Sequence, residues 1–346
     1  MPPKPWTPND WNLDYCRLRQ ALALLPKKAD GSYAWGALKI AHLDTGYRRK
    51  KALGFASETG TGDSPWIKPS LGRDFLDNKP DPKDPLVETP WQPPGHGSRT
   101  SSALAGEDAA VGFKGLAPRL ALVPYRVNED SLIGHRSAKA IGQAIIDAID
   151  QNGCPICAIS LGFPVLDTGA MGEAVGYAYE KGVIVVGACG QMTDKVSYPA
   201  KHRRAIGVAG VKRLANGQHR IYYKYDSYAR VDIFAPAQPI DRADADPDAP
   251  PYGKGDGTSY AVPHVVATAA IWLTLRGPEI KQKYGIGWKR IEAFRKLLRL
   301  TQRQLLFKAP EGCLARALDA EALVKAKLPT IEDWDYEEDR AADDRM

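Results

Sequence analysis

Three short stretches of the 346-residue chain carry side chains that could do chemistry together. In Ile40-Ala41-His42-Leu43-Asp44-Thr45-Gly46 a hydrophobic run ends at a tight turn that bears a carboxylate, Asp44. Gly95-His96-Gly97-Ser98 sets an imidazole between glycines, ahead of a small-residue run from Thr100 to Gly106 that suits a closely packed helix. Gly257-Thr258-Ser259-Tyr260-Ala261-Val262-Pro263-His264 places a serine at the start of a long apolar stretch. A serine, an imidazole and a carboxylate are the parts of an activated nucleophile, its base and the group that orients the base, which is the chemistry of acyl transfer. A helix beginning at Ser259 would add unpaired N–H groups and a positive dipole end, suited to negative charge on an acyl-transfer intermediate. Alone, each stretch is an ordinary turn or N-cap. Their coincidence in order is what points to a site.

Such groups need a scaffold that brings them together. Short β-branched runs alternate with helical stretches: strands are expected at 38–43, 120–127, 156–161, 183–186 and 205–211, and helices at 137–151, 170–180 and 259–275. This rhythm predicts an α/β fold with a mostly parallel central sheet and helices on both faces. Functional groups in such sheets gather at the carboxyl ends of the strands, where an Asp at a strand end and a Ser at a helix start can meet. A helix is also expected from Asn12 to Leu25, and the Gly-, Pro- and Asp-rich region from Tyr47 to Gly95 reads as long surface loops.

The order Asp, His, Ser, carried by D-T-G, G-H-G-S and G-T-S-x-A-x-P-H, resembles the subtilisin family of serine proteases, the subtilases. Gly72-Arg73-Asp74-Phe75-Leu76-Asp77-Asn78, Gly115-Leu116-Ala117-Pro118, Ser160-Leu161-Gly162 and Val231-Asp232-Ile233-Phe234-Ala235-Pro236 fall in family order too, and the likeness runs from about Ala34 to Lys327. The resemblance implies a subtilisin-like fold and a serine endopeptidase that hydrolyses peptide bonds through an acyl-enzyme. Ser259 would be the nucleophile, His96 the general base and Asp44 the group that steadies the imidazolium. Ser160-Leu161-Gly162 would form one wall of the primary specificity pocket and pair with the substrate backbone, and Ala188-Cys189-Gly190 would form the other wall. The organisation that follows is an N-terminal arm and helix over 1–33, a subtilisin-like catalytic domain over 34–328 and an acidic tail over 329–346. A polypeptide substrate is implied and no cofactor is required.

Three departures from the family pattern matter. Gln191 stands where subtilases usually carry the Asn whose amide donates to the oxyanion. It keeps the donor but sets it one methylene further out, and a donor of this kind is worth ~10²–10³ in rate. Arg99 replaces a frequent second histidine, with a structural effect expected. The loop from Glu107 to Phe113 coincides with the usual calcium loop, yet Ala109 and Ala110 stand where a ligating amide would help, so structural calcium has little support and no metal ligands are assigned.

Two other functions compete. Asp44-Thr45-Gly46 recurs as Asp167-Thr168-Gly169, and paired D-T-G turns supply the dyad of aspartic proteases, although those are nearly all β. Gln191 and Arg99 would also suit a catalytically weak pseudoprotease that binds a peptide in the same groove. Five cysteines are too sparse for a disulfide framework, and Cys154 and Cys157, in C-x-x-C spacing without a second pair, read as reduced, half-buried thiols. MPPKPWTPNDW lacks a secretory pattern and the longest uncharged apolar run, 265–275, is short of the ~18 residues of a membrane span, so a cytoplasmic, non-membrane protein is expected.

The net charge of +6 is unevenly placed: eight acids against Arg340 and Arg345 make 329–346 −6, while nine bases fall between Lys281 and Lys308 around the helically spaced Ile291, Phe294, Leu297 and Leu298. That basic face reads as a solvated helix surface; the tail is expected either to lie loosely against it as a guard or to be only a solubilising, disordered end. No aromatic stacking pattern accompanies the charge, so nucleic acid is not an expected partner. Forty-three residues precede Asp44, little for the folded pro-domain frequent in the family, so the expectation is either folding without such a chaperone or control by the Pro-rich arm, the tail or a regulatory protein partner.

Overall fold

Alternate residues of each central strand enter two separate cores, which is why these segments read as near-continuous hydrophobic runs. The computed structural model describes residues 7–89, 93–162, 169–247, 249–305 and 317–336. Its main sheet contains β1 (Lys39–Asp44), β2 (Arg73–Asp74), β5 (Ala121–Arg126), β6 (Ile156–Ile159), β7 (Ile184–Ala188), β8 (Ile206–Arg213) and β10 (Ile233–Gln238), in the order β10-β8-β7-β6-β1-β5-β2. All these neighbours run parallel, and β9 (His219–Ile221) pairs antiparallel with β8. Two small hairpins stand apart, β3 (Glu107–Asp108) with β4 (Phe113–Lys114) and β11 (Ile240–Ala243) with β12 (Tyr252–Gly255). The expected α/β class is observed.

Ala41, Cys157, Ile159 and Val185 face one core, filled from α4 (His135–Asp150) and α5 (Ala170–Glu180). Ile40, Ile156, Ala158, Ile184 and Val186 face the other, beneath α6 (Val262–Tyr284) and α7 (Lys289–Leu300). α3 (His96–Ala105) packs on β1 and β5 beside α6. Cys154 and Cys157 are fully buried rather than half-buried, and burial pushes the Cys154 thiol up to about 12 and that of Cys157 well above its usual range, so neither is a reactive thiolate.

Several expectations about elements need correction. The helix at 12–25 is two short ones, α1 (Trp11–Tyr15) and α2 (Leu18–Leu22), because Arg17 adopts a left-handed conformation at φ 53° between them. Both nevertheless pack inward, α1 through Trp11 and Tyr15 and α2 through Leu18, Ala21 and Leu22, with Cys16 buried between them. The apolar helix continues past Leu275 through Pro278 to Tyr284, tied by Arg276 to the carbonyls of Val324 and Ala326 and by Lys283 to that of Leu328, next to α8 (Ala320–Lys325). With its preceding turn it is long and apolar enough to cross a membrane, but 83% of its most apolar window is buried as the central core helix.

The basic face of α7 is not simply solvated. Arg295 is 3% exposed, with Glu292, Asp232 and the carbonyls of Arg203 and Ala205 around it, and Arg290 donates to the Gly182 carbonyl. Lys289 and Lys296 do meet the tail, at Asp333 (2.8 Å) and Asp335 (3.9 Å), while Ile331 is buried and the Tyr336 ring packs edge-on to Trp288 and tilted against Tyr179.

Candidate active site

β1 ends at Asp44, and the next residues turn so tightly that a side chain at Gly97 would collide with the Gly46 carbonyl. This close approach brings His96, the first residue of α3, onto the carboxylate: His96 Nδ1 donates to Asp44 Oδ1 at 2.7 Å. Asp44 is wholly buried, and His96 is 4% exposed. Oδ1 also accepts the Thr45 backbone N–H at 2.8 Å, and Oδ2 accepts the Thr100 hydroxyl at 3.0 Å. Burial alone would raise the Asp44 pKa, but the neighbouring His96, its hydrogen bond, His42 and the Thr45 N–H outweigh it and hold the carboxyl below the ordinary value. His42 Nε2 lies 3.1 Å from Thr100 Oγ1, so a chain of polar contacts runs from His42 through Thr100 to Asp44.

The Thr45 hydroxyl accepts the Gly97 N–H at 2.9 Å and donates to Asp84, a buried carboxylate whose pKa is raised by desolvation. Arg126, at the end of β5, is clamped by Asp74 at 2.8 Å and Asp77 at 2.6 Å and pairs in register with Asp44. The turn is thus fixed from two sides.

Ser259 lies in a 3-10 turn, Thr258–Tyr260, that runs into α6, so it precedes the α-helix rather than opening it. This turn packs against α3. Among the described residues no hydrogen bond joins Ser259 to His96; such contacts are often long in a resting site and shorten around substrate. Ser160 Oγ donates to the Ser259 carbonyl at 3.0 Å and so supports the turn from β6. Gln191 Oε1 accepts the Thr258 N–H at 2.7 Å and lies 3.1 Å from its hydroxyl. The additional methylene is what lets the amide oxygen reach that turn, and the fixed oxygen leaves Nε2 as the donor. Gly257, at φ 144°, leaves the space: a Cβ there would stand 3.1 Å from Gln191 Nε2.

A cleft of about 360 Å³ opens beside Ser259 and is lined by Ser160, Gly162, Ala188, Gly190 and Gln191, among others. Leu161 and Cys189, expected in the pocket walls, are corrected: both are completely buried in the cores behind it. The extended backbone alternates its side chains, so in each tripeptide only the outer two residues reach the cleft. The Gly190 wall is held by a 2.6 Å bond from the Tyr225 hydroxyl to the Gly190 carbonyl. Arg99, nearly buried, donates to the Pro93 and Pro94 carbonyls just ahead of His96. The sequence carried no signal for Asp84, Thr100 or Tyr225, whose roles depend on contacts distant in the chain.

The 107–113 loop does not fit a calcium ion. Glu107 already faces Arg119 and Asp108 faces Lys51, while Ala109 and Ala110 offer no side-chain oxygen. Among the described residues no three His, Cys, Asp or Glu side chains are grouped to hold a metal. Asp167 and Thr168 of the second D-T-G lie outside the described residues, as does Cys313.

The parallel sheet, a strand-end carboxylate bonded to the histidine that opens α3 and a serine turn beside a cleft are the parts an α/β serine hydrolase uses. Residues 36–304 match the sequence profile of the Subtilase family, and the chain belongs to that family of serine endopeptidases. It is 31% identical over 273 residues to thermitase of Thermoactinomyces vulgaris, covering 77% of this chain and 85% of that protein. It is 28% identical over 215 residues to subtilisin Savinase of Lederbergia lenta, covering 62% and 73%. In fold it is similar to fervidolysin from Fervidobacterium pennivorans, with a TM-score of 0.68 and 21% identity over 92% of this chain, which spans 46% of the fervidolysin chain. Family and fold together overturn the aspartic-protease reading.

Proposed function

We propose that this chain hydrolyses peptide bonds with Ser259 as nucleophile, His96 as general base and Asp44 as the residue that orients and stabilises the imidazolium. The observation that carries the assignment is the buried 2.7 Å contact between His96 Nδ1 and Asp44 Oδ1. It fixes the tautomer in which Nε2 is the basic nitrogen. As Ser259 Oγ attacks the scissile carbonyl, its proton passes to His96 Nε2. Collapse of the tetrahedral intermediate returns that proton to the leaving amine, and a water molecule repeats the sequence on the acyl-enzyme. Gln191 Nε2 and the Ser259 backbone N–H supply the oxyanion donors.

A fluorophosphonate probe tests this. It should label Ser259 in the wild-type protein and fail to label Ser259→Ala, which should remain folded and lose turnover. Turnover retained in Ser259→Ala would refute the serine mechanism, and a wild-type protein that neither labels nor cleaves would be a peptide-binding pseudoprotease. Specific rather than digestive substrates, a regulatory protein partner and a cytoplasmic location are part of the proposal. Four buried free thiols, Cys16, Cys154, Cys157 and Cys189, are compatible with that reducing location. Fractionation of the source cells checks it.

A further inference from the structure

An extended peptide binds a sheet edge by presenting its backbone to unpaired N–H and C=O groups, and donors on one edge recur every two residues. If Ser160 meets the first residue on the acyl side of the scissile bond, Gly162 is the group that should meet the third. Here the Gly162 N–H is already taken: it donates to the Ser131 carbonyl at 3.1 Å, and Leu132 forms a parallel β-bridge with Gly162. Neighbouring strands sit ~4.7–4.9 Å apart, so a peptide strand inserted between them would have to part the two segments by about one further spacing.

The segment that occupies the edge is built to stay there. Asn128 is 5% exposed, and its Nδ2 donates to the carbonyls of Asp130 at 2.9 Å and Leu132 at 2.7 Å. Its Oδ1 accepts the hydroxyl of Ser137, in the first turn of α4, and Asp130 Oδ1 accepts the Leu132 N–H at 2.6 Å. Nearer the nucleophile the edge is open, with Ser160 on the cleft and Ser131 and Leu132 forming its far wall.

We propose, resting on the endopeptidase reading of this site, that residues 128–132 are a specificity-determining stop which ends acyl-side recognition at the second residue from the scissile bond. Peptides are then selected by those two residues and by the leaving side, and a longer acyl-side sequence adds little.

The test is a series of N-blocked peptide p-nitroanilides that share their last two residues and contain two, three or four. For the wild-type protein kcat/KM should change by less than ten-fold from two residues to four; an increase of ten-fold or more overturns the proposal. Asn128→Ala removes the two Nδ2 bonds to the Asp130 and Leu132 carbonyls and the Oδ1 bond to Ser137, and should raise the four-to-two ratio at least ten-fold while leaving the two-residue substrate within about three-fold of wild type. Ser131→Gly/Leu132→Gly is the second variant, should Asn128→Ala fail to fold. A folded variant of either kind with the wild-type ratio also overturns the stop. Absence of turnover at every length, with no fluorophosphonate labelling, instead refutes the endopeptidase reading and takes the stop with it.

Discussion

His264 makes the fold acid-sensitive at the point where the nucleophile turn meets the N-terminal segment. Its Nδ1 donates to the Tyr260 carbonyl at 2.9 Å, and its Nε2 accepts from Asn12 Nδ2 at 3.0 Å, so the neutral ring is fully used. A proton on Nε2 would face the Asn12 amide hydrogens in a site with no exposure to solvent. Burial accordingly pushes the pKa from 6.5 to about 3. The folded value lies below the unfolded one, so between these pH values the unfolded chain binds more protons and stability falls as pH falls. At pH 5 the folded ring is still neutral and the unfolded ring almost wholly charged. The resulting loss relative to pH 7 is about 2 kcal/mol, and it hardly changes for any folded value below about 4. Urea unfolding at pH 7 and pH 5 measures it, in a Ser259→Ala background to prevent self-digestion. His264→Gln, added to that background, should lose about 2 kcal/mol less between the two conditions. The carboxylates and the buried His42 titrate in both proteins and cancel in the difference. Equal losses in the two proteins would refute the reasoning.

Gln191→Ala should lower kcat by ~10²-fold with little change in KM, since the interaction it removes forms mainly in the transition state. Gln191→Asn should also fall below wild type in steady-state assays, because the shorter side chain cannot hold the Thr258 N–H and reach the oxyanion together. Asp333→Asn and Asp335→Asn should each cost less than about 1 kcal/mol in denaturant unfolding, because Asp333 is exposed, its partner Lys289 is only half-buried and Asp335 is 3.9 Å from Lys296. That cost should vanish at high salt.

The sequence revealed those parts of the site that local pattern encodes. Asp44, His96 and Ser259 each sit in a short motif with glycines; the structure bonds His96 to Asp44, and the part of Ser259 rests on the proposal. The sheet was legible because two-sided burial makes the central strands apolar over most of their length. The side chains of Leu161 and Cys189 do not line the cleft because an extended backbone turns every second side chain into the core, which a tripeptide motif does not reveal. Arg17 has no residue-type signature for its left-handed conformation, so α1 and α2 were merged. α6 runs on past the expected end at Leu275, through Arg276, Gly277 and Pro278, because contacts to α8 and the chain beyond it sustain another turn and more.

The invisible residues share one property: each joins segments far apart in sequence at a strand or helix end. Asp84 reaches Thr45 across 39 positions, Tyr225 reaches Gly190 across 35, and Asn12 reaches His264 across 252. A turn that carries a catalytic side chain cannot be held by the two or three backbone bonds it makes itself; fixing it requires partners from whatever element packs beside it. The choice of partner is free so long as the geometry is met. In the proposed mechanism this freedom lets Gln191 take an asparagine's part: its oxygen accepts the Thr258 N–H at 2.7 Å, and that anchor constrains the longer side chain.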